Sequence, residues 1–295
     1  MTERQLGPIV GATLLHSDID AVITSYQTIL GYTLVSEQTI AAELVNCWRA
    51  PDLIGNKSAI LASANGDSWL RIIENKNAQP AKPLKSYGWM ALESNVHNVD
   101  NIRKKFTNDA FTIIGEPAYL QVSDAIKAMQ VIGPAGEVNY LTQVDKEVPP
   151  FDLPMTTYET GSLFIPVLCT PNRAASLKFY QALNNADAGL SFETKVTVLN
   201  NAWGHDVEHQ FPVATLQLDG KCLFEIDQVD NAIPIESSQG SLPSGIAMIT
   251  CQVKNIAAIA KKFNTDIYYT DDPYYPSKSI ILLQGAAGEL IELVG

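Results

Sequence analysis

The chain has 295 residues, enough for two ordinary domains that each bury a core of their own. A formal charge of −12 argues against a nucleic-acid partner, which needs Lys and Arg gathered on one face to neutralise phosphates. Residues 1–5 lack the basic start and apolar run of a secretory signal, and no apolar stretch approaches the roughly 20 residues of a membrane helix. No membrane partner and a cytoplasmic location are therefore the expectation.

The predicted elements run in a repeating order. An apolar run, residues 9–15, reads as a strand and leads to Asp18, a helix cap. The helix passes Tyr26 and stops near Leu30-Gly31-Tyr32. Strands are predicted at 32–37, 58–62 and 68–74. A further strand then meets Asn98, which caps a helix ending at Phe106, followed by strands at 111–114, 126–132 and 138–143. This is βαβββ written twice. Residues 148–158, with Pro149, Pro150 and Pro154, suit an extended linker between a first module, 1–147, and a second, 159–295. In the second module a strand at 163–168 precedes the Asn172 cap and a helix through Tyr180. Strands follow at 192–199, 211–218 and 222–227. The last quarter offers a strand at 246–253, an Asn255-capped helix to Phe263, and strands at 267–270, 279–283 and 290–294.

The two modules match in sequence as well as in pattern. Asp18 to Tyr26 corresponds to Asn172 to Tyr180, Val96 to Phe106 to Val253 to Phe263, and Gly133-Pro134-Ala135-Gly136-Glu137 to Gly285-Ala286-Ala287-Gly288-Glu289. Tyr26 and Tyr180 end matching helices and read as packing residues. Cys47, Cys169, Cys222 and Cys251 are far apart, form no C-x-x-C pair and read as buried reduced thiols.

A strand, a capping Asp, a helix ending in Tyr, then Leu-Gly-aromatic, closed by Gly-Pro-Ala-Gly-Glu and an apolar strand, resembles the vicinal oxygen chelate superfamily. That superfamily spans glyoxalases, bleomycin-resistance proteins and extradiol dioxygenases. The resemblance implies an α+β fold: two tandem glyoxalase-like modules, each built of paired βαβββ units forming a curved mixed sheet around a cavity. It also implies where metal ligands would stand. In the first module those positions hold Gly11, Ala91 or a neighbour, and Tyr140. In the second they hold Ile165, an apolar position within 246–248, and Glu292. Only Glu292 is a metal ligand, and an open site wants about three. No cofactor is expected. If a divalent ion (Fe, Zn, Mn or Ni) binds, Glu292 with His205 and His209, from Gly204-His205-Asp206-Val207-Glu208-His209, is the set that remains. His16 and His97 adjoin helix caps and read as surface residues.

The expected ligand site is therefore built from other side chains, in the first-module cavity. Arg71 lies in an apolar strand and must be paired or meet an anionic ligand, because burying its charge alone is costly; Glu93 is the expected partner. Tyr140, Trp48 and Trp89 add aromatic walls. Three functions stay open. One is metal-free binding of a small apolar or aromatic molecule by a monomer or homodimer. Another is a metal-dependent lyase, isomerase or extradiol dioxygenase-type enzyme using Glu292 and the His205/His209 loop. Acid/base chemistry by Arg71, Glu93 and Tyr140 without a metal is a third.

Overall fold

The computed structural model describes residues 3–107, 110–120, 123–186, 189–237, 239–275 and 279–295; Met1 and Thr2, part of the N-terminal reading above, lie outside them. Four strand–cap–helix starts set the plan. Asp18, Asn98, Asn172 and Asn255 each accept, through the side chain, the backbone N–H three residues on, at 2.9–3.0 Å. Each thereby satisfies an amide of the first helical turn that has no intrahelical partner.

The first unit contains β1 (Leu6–His16), α1 (Ile19–Leu30), β2 (Thr33–Thr39), α2 (Ala42–Trp48), β3 (Lys57–Ala62) and β4 (Leu70–Glu74). The second contains β5 (Gly88–Val96), α3 (Val99–Arg103), β6 (Thr112–Leu120), β7 (Ser123–Ile132) and β8 (Val138–Val144). The third contains β9 (Thr160–Thr170), α4 (Arg173–Asn184), β10 (Leu190–Thr194), α5 (Thr197–Trp203), β11 (Phe211–Gln217) and β12 (Leu223–Gln228). The fourth contains β13 (Gly245–Val253), α6 (Ile256–Phe263), β14 (Tyr268–Tyr269), β15 (Ser279–Gln284) and β16 (Leu290–Val294).

These units form two curved eight-stranded mixed sheets. Their partition differs from the sequence order. Sheet one runs β14-β15-β16-β13-β1-β4-β3-β2, joining the first unit to the fourth; sheet two runs β10-β11-β12-β9-β5-β8-β7-β6, joining the third to the second. The seams are antiparallel, β1 with β13 and β5 with β9. Each βαβββ unit has one open edge at its first strand, and the chain closes these edges across modules, leaving no central edge exposed.

The larger of two apolar clusters lies between the sheets. Helix α1 packs on β3 and β4, α4 on β11 and β12, and the apolar cluster includes Leu14, Tyr26, Leu92, Phe164, Phe224 and Ile249. Tyr26 and Tyr180 do more than fill space. The Tyr26 hydroxyl donates to Glu137 Oε1 at 2.6 Å and the Tyr180 hydroxyl to Glu289 Oε1 at 2.7 Å. The other oxygen of each carboxylate accepts a turn amide, from Ala135 and Ala287. The matched Gly-x-x-Gly-Glu turns thus bolt a helix of one sheet to the last strand of the other. Burial holds Glu137 up at about 7 and raises Glu289.

Two short helices depart from the expected pattern. Residues 192–199, read as one strand, divide into β10 and α5, and Trp48 ends α2, in a stretch where no element was predicted. Both helices have seven residues, too few to show a helical period. No helix among the described residues is long and apolar enough to cross a membrane.

Candidate functional site

The floor of each concave face is laid by four central strands, and strand register defines corresponding positions. On sheet one, Thr13 of β1 lies opposite Arg71 of β4, Thr250 of β13 opposite Glu292 of β16, and Gly11 opposite Thr250 across the seam. On sheet two, Val167 of β9 lies opposite Glu225 of β12, Glu93 of β5 opposite Tyr140 of β8, and Ile165 opposite Glu93 across the seam. Glu225 therefore takes the place of Arg71, Tyr140 that of Glu292, Glu93 that of Thr250 and Ile165 that of Gly11.

Sheet one's floor is filled and satisfied. Arg71 and Glu292 are both fully buried and pair at 3.3 Å. Arg71 also donates to Thr13 Oγ1 at 2.9 Å, to the Tyr275 hydroxyl and toward Met248 Sδ. Glu292 further accepts from Trp48 Nε1 at 2.6 Å, the Tyr275 hydroxyl at 2.8 Å and Thr250 Oγ1 at 2.9 Å. The guanidinium lies 4.7 Å from the Trp48 ring centroid and 4.4 Å from that of Tyr274. Burial alone would lower the Arg71 pKa, but Tyr275, Glu292 and Tyr274 outweigh it and hold the guanidinium firmly charged. Gly11 makes this packing feasible: a Cβ there would stand 1.7 Å from the Tyr274 hydroxyl oxygen. Tyr274 occupies the space into which a first-strand metal ligand would project.

Sheet two's floor is the reverse. Glu93 and Tyr140 are each 8% exposed, Asp227 is fully buried and Glu225 is half-buried. Among the described residues no ion pair involves Glu93, Glu225 or Asp227. Neither oxygen of Asp227 and not the hydroxyl of Tyr140 has a hydrogen-bond partner. Burial, aided by Glu225, pushes Glu93 up to about 8; burial lifts Glu225 to about 7. Burial, then Glu225 and Glu93, raises Asp227, and burial followed by Asp227, Glu225 and Glu93 raises Tyr140. The register partners of Val213 and Thr215 on this face are Phe192 and Leu190 of β10, both exposed apolar side chains.

The expected residues therefore divide. Arg71, Trp48 and Glu292 meet on sheet one; Glu93 and Tyr140 meet on sheet two. Arg71 pairs with Glu292 and not with Glu93, because the exchange of units carries β4 and β5 into different sheets. Trp89 faces neither floor: its ring packs near Tyr180 and Phe224 and its Nε1 donates to the Leu290 carbonyl at 2.7 Å. His205 and His209 stack at 4.2 Å between centroids in an exposed loop beside Phe211, on the other sheet from buried Glu292. Among the described residues no three His, Cys, Asp or Glu side chains converge as a metal set. Glu225 and Asp227 escaped the sequence reading, although aligning Leu70-Arg71-Ile72-Ile73-Glu74 with Phe224-Glu225-Ile226-Asp227-Gln228 exposes the Arg-to-Glu exchange.

No protein-family model and no curated protein matches this sequence. Solved structures do resemble it. A putative dioxygenase from Bacillus subtilis subsp. subtilis str. 168 superposes with a TM-score of 0.64 at 9% identity, over 99% of this chain and 86% of that one. Glyoxalase I from Zea mays gives 0.58 at 14% identity, over 97% and 91%. The cppA protein from Streptococcus pneumoniae TIGR4 gives 0.51 at 13%, over 98% and 99%. At these identities the likeness is one of fold. With two tandem modules and two curved eight-stranded sheets matched along nearly its whole length, this chain has a glyoxalase-like fold.

Proposed function

We propose that this protein binds a small organic molecule on the concave face of sheet two, without a metal. The observation that carries the reading is Asp227, a fully buried carboxylate with no partner for either oxygen, beside the equally unpartnered hydroxyl of Tyr140. Leaving a buried polar group unmade costs about 1–3 kcal/mol, so buried groups are nearly always paired within the protein or by something bound to it. Glu93, Glu225, Asp227 and Tyr140 would supply the polar contacts. Ile165 and Val167, with Phe192 and Leu190 at the rim, would supply the apolar ones. On sheet one Arg71 and Glu292 satisfy one another, and the buried atoms left without a partner there, the Ser58 hydroxyl and Trp69 Nε1, are uncharged.

Metal-dependent lyase, isomerase or dioxygenase chemistry draws little support from either donor set. An arginine stands among the four floor positions of sheet one, and among the described residues the carboxylates of sheet two are not arranged to hold a metal ion. A second reading has one specific observation in its favour. Glu93 at about 8 and Glu225 at about 7 exchange protons near neutrality, which suits general acid/base chemistry on a bound molecule, with Tyr140 beside them and Arg71 taking no part. Each sheet is completed within one chain, which supports a monomer.

The test is a thermal-shift screen of small aromatic and aliphatic compounds against the protein and against Ile165→Trp, which fills the face. Compounds that stabilise the first and not the second are expected. Hits equally effective on Ile165→Trp, with that variant folded by circular dichroism, would overturn the reading.

A further inference from the structure

We propose that the molecule bound on sheet two is an organic cation, whose amidinium, guanidinium or ammonium group takes the place that Arg71 fills on sheet one. This inference rests on the ligand-binding reading above and names its chemical class.

The two floors are built on the same strand register, so they can be compared position by position. On sheet one the protein supplies its own cation: the Arg71 guanidinium is wedged between Trp48 and Tyr274, and its hydrogen bonds run to Thr13, Tyr275 and Glu292. On sheet two that cation is gone and a carboxylate, Glu225, stands at its position. Glu93 replaces Thr250, and Asp227 replaces Ile73. One positive and one negative charge have become three acids, with no Lys or Arg paired to any of them among the described residues. Buried carboxylates in an apolar setting demand either protons or a counter-charge.

The neighbouring side chains change in the same sense. Glu225 is shorter than Arg71, and Ala91 stands where Met248 reaches the guanidinium. Trp203, which ends α5 as Trp48 ends α2, turns away: its Nε1 donates to the Leu84 carbonyl at 2.9 Å and its ring lies under Lys85. The Trp48 roof of sheet one thus has no counterpart over Glu225. What remains is an acidic floor, an unpartnered phenol and an apolar rim at Phe192 and Leu190. A planar or alkyl cation on a small apolar body fits that combination, through charge-assisted hydrogen bonds to Glu225, Glu93 and Asp227.

Isothermal calorimetry at pH 8 with benzamidine and 2-phenylethylamine, each against its neutral counterpart benzamide or 2-phenylethanol, tests this. The cations are expected to bind at least about tenfold more tightly than the neutral compounds. Glu225→Gln should erase most of that preference. Glu225→Arg, which restores the residue found on sheet one, should abolish cation binding and raise the melting temperature. If cations and neutral compounds bind alike and Ile165→Trp abolishes both, the ligand site stands and the cationic class is wrong. If none of the four binds the folded protein, both readings fail. Cation binding that survives Glu225→Gln and Glu225→Arg would overturn the inference by placing the site elsewhere; if Glu225→Arg does not fold, the isosteric Gln variant decides alone.

Discussion

Replacing Arg71 with Met keeps most of the stem and removes the charge that sheet one's floor is organised around. Glu292 would keep its bonds from Trp48, Tyr275 and Thr250 but lose the counter-charge 3.3 Å away at full burial. Breaking a buried pair from one side costs about 3–5 kcal/mol, because the remaining charge is stranded. Three surviving donors to Glu292 place this case near the lower end. Against a typical total of about 5–15 kcal/mol, that is a large loss, visible as a marked fall in the urea midpoint. Glu292→Gln should cost a similar amount by stranding Arg71. The double variant Arg71→Met/Glu292→Gln should cost less than the sum, with a coupling of roughly 2 kcal/mol or more. Single losses below about 1 kcal/mol together with zero coupling would refute the claim that this pair closes the face.

Three further outcomes follow from the same geometry. Gly11→Ala, though it adds one methyl, should cost about 1–3 kcal/mol because it must displace the Tyr274 ring from the guanidinium; a neutral effect in urea unfolding would mean that Tyr274 is free to move. Tyr26→Phe should cost about 1–2 kcal/mol by removing a buried donor from Glu137, and Tyr180→Phe the same at Glu289; full stability in both would reduce these tyrosines to packing. Stability should fall as pH rises from about 4.5 to about 8, because Glu93, Glu225 and Glu137 stay protonated in the folded state, at about 8, 7 and 7, well above their ordinary value of 4.5. In that window the folded chain binds more protons than the unfolded one, at up to about 1.4 kcal/mol per pH unit for each group. Asp227, raised well above its ordinary 3.8, adds to the same slope within this window, and Tyr140 and Cys169, raised above 10 and 9, continue it at higher pH. A denaturation series flat across pH 5 to 8, or no shallower in Glu93→Gln/Glu225→Gln, would contradict this.

Local chemistry was legible in the sequence wherever it repeats. The four Asp or Asn caps, the alternating strands and the paired Gly-x-x-Gly-Glu turns each have a short-range cause, and together they outline four βαβββ units. Which units share a sheet was not legible, since β1 buries the same side chains against β13 as it would against β5. That single ambiguity misdirected Arg71 to Glu93. The demand that Arg71 be paired was sound, while Tyr275, which helps to pair it, sits on a segment without periodicity far along the chain. Asp227 went unnoticed because an acid in the strand Leu223–Gln228 looks like one more solvent-facing residue until its neighbours on the sheet are known.

One face is closed by its own arginine, and the other carries buried acids with no ion-pair partner among the described residues. Carbodiimide coupling of the native protein to glycine ethyl ester near pH 6, read by peptide mass spectrometry, tests it directly, because the reagent needs both access and a protonatable carboxyl. Modification is expected at Glu225, with Glu292 unmodified until the chain is denatured. Labelling of Glu292 in the native protein, or protection of Glu225 equal to that of Glu292, would contradict it.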